Sequence, residues 1–337
     1  MLAGCGLSAL GGWFWLDRSW DVDVPSGLYH VLTPKPVSAT IANETVPERA
    51  STVRFTGNLA SPRLREASGL AQSNRYPGVF WAINDRGSPP EMFALDARGR
   101  HLGVWQLPVP NFDFEELAAF VEAGEPMLLV ADTGDNLRWR RVLALHVIPE
   151  PDLDRAETEP VPVLRTIRYR YPDGYRDCEA VAVAGDSIFL ISKRVTPAEV
   201  FRLPLAGGAG VLVAEPVADL RFIPQPTSLA RREDPESWRF RSAPTALDIH
   251  DAHAIVMTPT DGYLYRRSAA ETWPEAFGRI PERIVLPSQT GREAVAWLRE
   301  SPLTFLIVAE RFPTHYGVAL FRVELEPMRP ALPQSSG

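Results

Sequence analysis

The chain has 337 residues, 45% hydrophobic and 23% charged, an ordinary globular composition that excludes disorder, collagen and coiled coil. Its 32 prolines and 23 glycines are scattered along the sequence, which works against long helices. A net charge of −7 lacks the basic footprint of a nucleic-acid binder, so the expected partners are small molecules, metal ions or proteins.

Residues 1–16 are apolar, and Leu2-Ala3-Gly4-Cys5 resembles the lipobox in which the cysteine of an exported bacterial lipoprotein is lipidated. Only four residues precede Cys5, with no basic n-region, and the apolar run continues to Leu16, so a signal anchor and a simply apolar start stay open beside the lipoprotein reading. Two of the three place the protein outside the cytoplasm, attached to the membrane through its N-terminus alone. Residues 17–50, with Pro25, Pro34, Pro36 and Pro47, carry no apolar period and are expected to be a tether. Two cysteines, Cys5 and Cys178, are too few for a disulfide framework or a cysteine zinc site.

From residue 52 onward, short apolar runs alternate with turns, and five share a local signature: Ser68-Gly69-Leu70-Ala71, Glu115-Glu116-Leu117-Ala118, Glu179-Ala180-Val181-Ala182, Thr245-Ala246-Leu247-Asp248 and Glu293-Ala294-Val295-Ala296. Each is followed by a hydrophobic strand, at 79–83, 127–131, 187–192, 253–258 and 303–309. Third strands carrying Phe or Tyr fit at 92–95, 200–203, 263–265 and 319–321, and fourth strands at 102–107, 164–170, 211–220 and 283–286. The signatures are spaced 47, 64, 66 and 48 residues apart, the period of four-stranded blades with insertions, and the expected fold is an all-β propeller. The last unit has three strands, so the segment 52–56 is predicted to complete it and close a five-bladed ring spanning 51–325, followed by a tail at 326–337. A sixth blade hidden in 220–241, or an unrelated β-sandwich, is the alternative.

The first strand of each blade lines the channel of a propeller, so Ser68, Glu115, Glu179, Thr245 and Glu293 should converge there. Three carboxylates in a narrow channel repel one another unless something neutralises them, and calcium, with six to eight oxygen ligands, is the expected solution. Pairing with cationic side chains or channel water is the other. The loops beyond the second strands add Asn84, Asp85 and Arg86, then Asp132, Asp135 and Asn136, then Lys193 and Arg194, and finally Glu310 and Arg311. Acidic and basic groups side by side on one rim are what metal-assisted phosphoryl hydrolysis uses. Asp132-Thr133-Gly134-Asp135-Asn136 lacks EF-hand spacing and reads as a tight turn. Asp248, His250, Asp251 and His253 form a small potential metal cluster whose members should point to different faces, and Cys178 reads as a small buried hydrophobe.

The channel set, together with Phe80-Trp81-Ala82-Ile83-Asn84-Asp85-Arg86-Gly87 and the pair Cys178-Glu179-Ala180 and Lys193-Arg194, resembles the calcium-activated nucleotidase (apyrase) family of five-bladed propellers, with Thr245 in the place of a serine. The elements Asn84-Asp85-Arg86-Gly87, Gly134-Asp135-Asn136 and Tyr171-Pro172-Asp173-Gly174 are similar to those of uncharacterised exported bacterial propellers described as phytase-like or esterase-like. These resemblances imply a propeller with a calcium ion in its channel. Two functions are then expected, with no oligomer required: a calcium-stiffened propeller binding a ligand or protein partner on its rim, or a calcium-dependent phosphoester or phosphoanhydride hydrolase. In the second, the Glu ring would hold calcium, Arg86, Lys193, Arg194 and Arg311 would meet the phosphate, and Asp85 is a further catalytic candidate.

Overall fold

The computed structural model describes residues 22–23, 45–226, 232, 241–286, 292–309 and 318–327. In chain order, β1 (Glu48–Arg49) and β2 (Ser51–Asn58) precede blade one, which comprises β3 (Ala67–Gln72), β4 (Val79–Asn84), β5 (Glu91–Asp96) and β6 (His101–Gln106). Blade two holds β7 (Phe114–Glu122), β8 (Glu125–Asp132), β9 (Leu143–Pro149) and β10 (Arg165–Arg170). Blade three has β11 (Cys178–Ala184), β12 (Ser187–Ser192) and β13 (Glu199–Pro204), then β14 (Val211–Val213) leaves it and β15 (Glu215–Asp219) completes it. Blade four is β16 (Ala246–His250), β17 (His253–Met257), β18 (Asp261–Arg266) and β19 (Glu282–Val285), and blade five has β20 (Arg292–Leu298), β21 (Ser301–Ala309) and β22 (Ala319–Leu325).

Each blade is an antiparallel sheet of four strands, and the fourth strand of blade five is β2, paired antiparallel with β22 from Ser51 opposite Leu325 to Asn58 opposite Ala319. The inner strands β3, β7, β11, β16 and β20 neighbour one another in turn, and β20 returns to β3. The protein is a five-bladed β-propeller closed by its N-terminal strand. Residues 227–231 and 233–240, most of the stretch where a sixth blade was left open, lie outside the described residues, and the ring closes without them.

Five apolar layers hold the blades face to face. Period-two alternation divides each strand between two of them: in β11 and β12, Val181, Val183, Ile188 and Leu190 pack toward blade two, whereas Ala180, Ala182, Phe189 and Ile191 pack toward blade four. Strands near the axis are therefore buried on both faces, as in β3 and β4 where every residue is buried, and they read as continuous apolar runs rather than alternating ones. At the rim β10 alternates Arg and apolar residues with only Ile167 and Tyr169 buried.

Two details differ from the expectation. The predicted fourth strand at 211–220 is two strands: β14 crosses to pair parallel with β10 of blade two, while β15 pairs with β13. β1 likewise adds to blade four, parallel to β19, so the nearer end of the expected tether belongs to a sheet. One short helix, α1 (Trp273–Phe277), follows β18; Thr272 and Glu275 form its capping box, and Trp273 and Phe277 pack on Tyr265 and Phe189 between blades three and four. Among the described residues no helix is long and apolar enough to cross a membrane.

Because, among the described residues, β2 alone pairs with the outer edge of β22, removing residues 1–58 should lower the melting temperature far more than removing 1–44. Equal melting temperatures for the two truncated proteins would refute closure by this strand.

Candidate metal centre and rim cleft

The repeated signature acquires a backbone meaning in the structure. The ladder between first and second strands slips at the same place in four blades: between Ala67 and Gly69, Phe114 and Glu116, Cys178 and Ala180, and Arg292 and Ala294. The residue left over is Ser68, Glu115, Glu179 or Glu293. A bulge re-aims its side chain out of the pleat, which is how one structural position delivers an oxygen from each of these blades. Thr245 stands just before β16, with its N–H bonded to the Met257 carbonyl at 2.9 Å.

The five residues do not share one role. The Ser68 hydroxyl donates to the Phe114 carbonyl at 2.9 Å and the Thr245 hydroxyl to the Arg292 carbonyl at 2.7 Å, so both tie one inner strand to the next blade. Thr133 does the same between blades two and three, donating to the Cys178 carbonyl at 2.8 Å. Glu179 is ion-paired through Oε1 with the Lys193 ammonium, and both are largely buried. Burial alone would lower the Lys193 pKa, yet Glu179, Glu293 and Glu115 outweigh it and raise the value, holding the ammonium charged. Lys193 thus sits inside the ring as the counter-ion of Glu179.

Glu115 stands at the junction of two carboxylate triads. Asp85, Asp113 and Glu115 each offer an oxygen within 4.8 Å of the others, and so do Glu115, Asp177 and Glu179. The second triad is compensated: Arg194 Nε lies 2.6 Å from Asp177 Oδ2, Asp135 N–H donates to Asp177 Oδ1 at 2.9 Å, and Lys193 holds Glu179. The first has Arg86, whose Nη1 is 3.6 Å from Asp113 Oδ2, and a weaker influence from Arg140, which is paired with Asp132. Burial, with the mutual repulsion of the group, raises the pKa of Asp85, pushes Asp113 up to about 7 and carries Glu115 well above the usual range. Asp113 Oδ1 and Glu179 Oε2 are buried with no hydrogen-bond partner. An all-oxygen, carboxylate-rich donor set with an orphaned buried oxygen fits a hard divalent cation, and Asp85, Asp113 and Glu115 are the residues that could hold it.

The loop 132–136 does more than turn. Asp132 accepts from Asp113 N–H at 3.0 Å and from Arg140 Nη1 at 2.8 Å. Asp135 accepts from the N–H groups of Trp139 and Arg140 at 2.9 and 3.0 Å, and Asn136 meets Arg194. At Gly134 a Cβ would run into Glu115 Oε1 and the Asp113 carboxylate, so only glycine lets the backbone pass against the carboxylates. Asp113 and Asp177 were missed by sequence reasoning; the signal was available as Asp-x-Glu repeated in blades two and three, Asp113-Phe114-Glu115 and Asp177-Cys178-Glu179. Glu116 was also passed over. It stands where the other blades have Gly69, Ala180, Ala246 and Ala294, it is fully buried, and its Oε2 accepts the Leu247 N–H of blade four at 3.2 Å, joining two blades that are not neighbours.

Beside the first triad lies a cleft of about 440 Å³ whose lining includes Arg86, Asp113, Asp132, Arg140 and Val22. Val22 forms a bridge with Arg140, Asp23 N–H donates to the Trp139 carbonyl at 2.6 Å, and Tyr175 OH donates to Asp23 Oδ2 at 2.8 Å. Of the residues expected to meet phosphate, Arg86 lines this cleft, whereas Lys193 and Arg194 are engaged with Glu179 and Asp177; Glu310 and Arg311 lie outside the described residues, as does Cys5. His250 and His253 face each other across β16 and β17, with His250 3.5 Å from Asp251 and His253 against Trp297. Asp248 accepts Trp297 N–H at 2.7 Å, so these four do not converge. Cys178 is fully buried in the layer between blades two and three, and burial pushes its thiol up to about 12.

No family model matches the sequence, and no curated protein matches it. Similar solved structures are β-propellers. Glutaminyl cyclase from Myxococcus xanthus is 13% identical, covering 84% of this chain and 99% of its own, with a TM-score of 0.49. The PQQ-bound aldose sugar dehydrogenase from Streptomyces coelicolor is 12% identical, covering 83% and 100%, with a TM-score of 0.43. Likeness at this level concerns the fold alone.

Asp113 gives the cluster a pH signature. Its folded pKa near 7 against an ordinary 3.8 means that the folded state keeps a proton which the unfolded chain releases, so this group's contribution to stability declines as pH rises from about 4 to 7. In chelator, melting temperatures measured between pH 5 and 7.5 should fall more steeply with pH for the wild type than for Asp113→Asn. Parallel curves would refute the assignment.

Proposed function

We propose that this chain is a propeller that binds a divalent cation, calcium first among them, through Asp85, Asp113 and Glu115 at one mouth of its channel, and that it binds a ligand in the adjoining rim cleft. The observation that carries the reading is the triad of Asp85, Asp113 and Glu115, paired with Arg86 at one oxygen and left with an orphaned, buried Asp113 Oδ1. Relative to the five-residue ring read from the sequence, the cation moves toward blades one and two, because Lys193 already neutralises Glu179. Bound there, the cation would remove the repulsion among the three carboxylates and fix the loop 132–136, whose backbone passes directly over them.

Calcium at about 100 times its dissociation constant stabilises a folded protein by roughly 2.7 kcal/mol, which for a domain of this size is a rise of about 5 °C in melting temperature. Chelation should reverse the rise, and Asp113→Asn and Glu115→Gln should each abolish most of it. A melting curve indifferent to calcium and chelator, with no metal found by elemental analysis, would sink the reading.

A second reading, calcium-dependent hydrolysis of a phosphoester or phosphoanhydride, is favoured by one feature: Arg86 borders both the triad and the cleft, where it would meet a phosphate oxygen held near the cation. Phosphate release from nucleotides and inositol phosphates that needs calcium and drops at least tenfold in Arg86→Ala would support it; no release under either condition would leave ligand binding as the function. Export and membrane attachment rest on the lipobox-like Leu2-Ala3-Gly4-Cys5. Fractionation in a bacterial host should move the protein from the membrane to the soluble fraction in Cys5→Ser if Cys5 carries the lipid, and leave it unmoved if the apolar run is the anchor.

A further inference from the structure

The rim cleft has features that a cation does not use. Phe112 is 50% exposed and Leu137 39%, and both line the cleft, so two large apolar side chains face one cavity instead of the blade layers. Arg140 is held in place by Asp132 Oδ1 and the Gly134 carbonyl, each at 2.8 Å, with its guanidinium 5.7 Å from the centre of the Phe112 ring. His146, on β9, also lines the cleft and is 5% exposed. Its Nδ1 lies 3.0 Å from the Thr166 hydroxyl, while its Nε2 is buried without a partner. Burial lowers the His146 pKa, which keeps the imidazole neutral. When the Thr166 hydroxyl donates to Nδ1, Nε2 carries the ring hydrogen and is a donor awaiting an acceptor. A buried polar atom left unsatisfied is costly, and one that borders a cavity can be satisfied by a group that enters it.

We infer that the cleft binds a small organic anion with a planar ring, the ring lying against Phe112 and the anionic oxygens meeting His146 Nε2 beside the fixed charge of Arg140. The size is suitable, since pockets for small ligands run from about 300 to 1,000 Å³, mostly apolar with a few placed polar groups. Arg86, Arg140 and Arg168 are matched by Asp113, Asp132 and Asp135 in the lining, so the ligand's own charge is small and the ring supplies much of the contact. This inference deepens the reading of the cleft as a ligand site and rests on it.

Benzoate and phenyl phosphate are the probes, titrated into the full chain in calcium and followed by calorimetry and by the fluorescence of Trp139 on the cleft wall. At least one should bind saturably, and whichever does so identifies carboxylate or phosphate as the anion. Acetate, which lacks the ring, and benzamide, which lacks the charge, should bind at least about tenfold more weakly. His146→Ala should weaken the probe about tenfold or more, the loss expected for a hydrogen bond to a charged group, and Phe112→Ala severalfold, while the calcium-induced rise in melting temperature stays at its wild-type value in both. Should His146→Ala fold poorly, His146→Leu, which fills the site without a donor, at wild-type melting temperature replaces it. Failure of both probes to saturate, or His146 and Phe112 variants that bind as the wild type does, would overturn the inference. Loss of the calcium response in the wild type would instead count against the cation reading and leave this measurement standing.

Discussion

Carboxylates crowded into a closed ring have to be neutralised, and that requirement organises one whole mouth of this propeller. Each inner strand is packed between two blades, and the bulge in four of them turns a side chain out of the packed layers. Three of those side chains are glutamates, so the protein concentrates negative charge where water is scarce and repulsion is strong. Two solutions stand side by side. At blade three the chain provides its own cations, Lys193 and Arg194. At blades one and two Arg86 stands nearest, with Arg140 beyond it, and burial carries Asp113 and Glu115, like Glu179, above the range of ordinary carboxylates.

The arrangement explains why the loop 132–136 is built as it is. Its backbone and side chains are used almost completely in holding Asp113, Asp177, Arg140 and Arg194, and Gly134 is fixed by the lack of room for a Cβ. The same loop carries Asp135 and Asn136 toward the cleft. The channel and the cleft are therefore not independent surfaces. Asp113 belongs to both, and anything that changes its charge is felt on the cleft wall as well as at Glu115.

The fold was largely legible because a propeller repeats itself. Five copies of an inner-strand signature pointed to five blades, with a sixth left open in 220–241, and the three-stranded last unit exposed the need for a closing strand. What escaped were features that depend on contacts between blades. The departure of β14 toward blade two is a pairing choice that a short stretch such as Val211–Val213 cannot announce. The channel positions were identified correctly as equivalent, yet their division of labour was hidden, since nothing in the sequence near Ser68 or Thr245 says that its hydroxyl is spent on the carbonyl of the next strand. Lys193 read as a loop residue beyond a second strand that could meet a phosphate, and the structure pairs it with Glu179 instead. Asp113 and Asp177 were visible as a repeated Asp-x-Glu, but a period seen twice is weak until the bulge gives it geometry.

The burial of Cys178 has a practical side. With its sulfur inside the layer between blades two and three and its thiol held protonated, it is invisible to maleimides and other thiolate-seeking reagents while the propeller is folded. Cys5 is the other thiol in the sequence. Alkylation at Cys178 therefore marks the opening of the ring, whatever the state of Cys5. A thiol reagent can thus follow the integrity of the domain with no cysteine having to be added or removed.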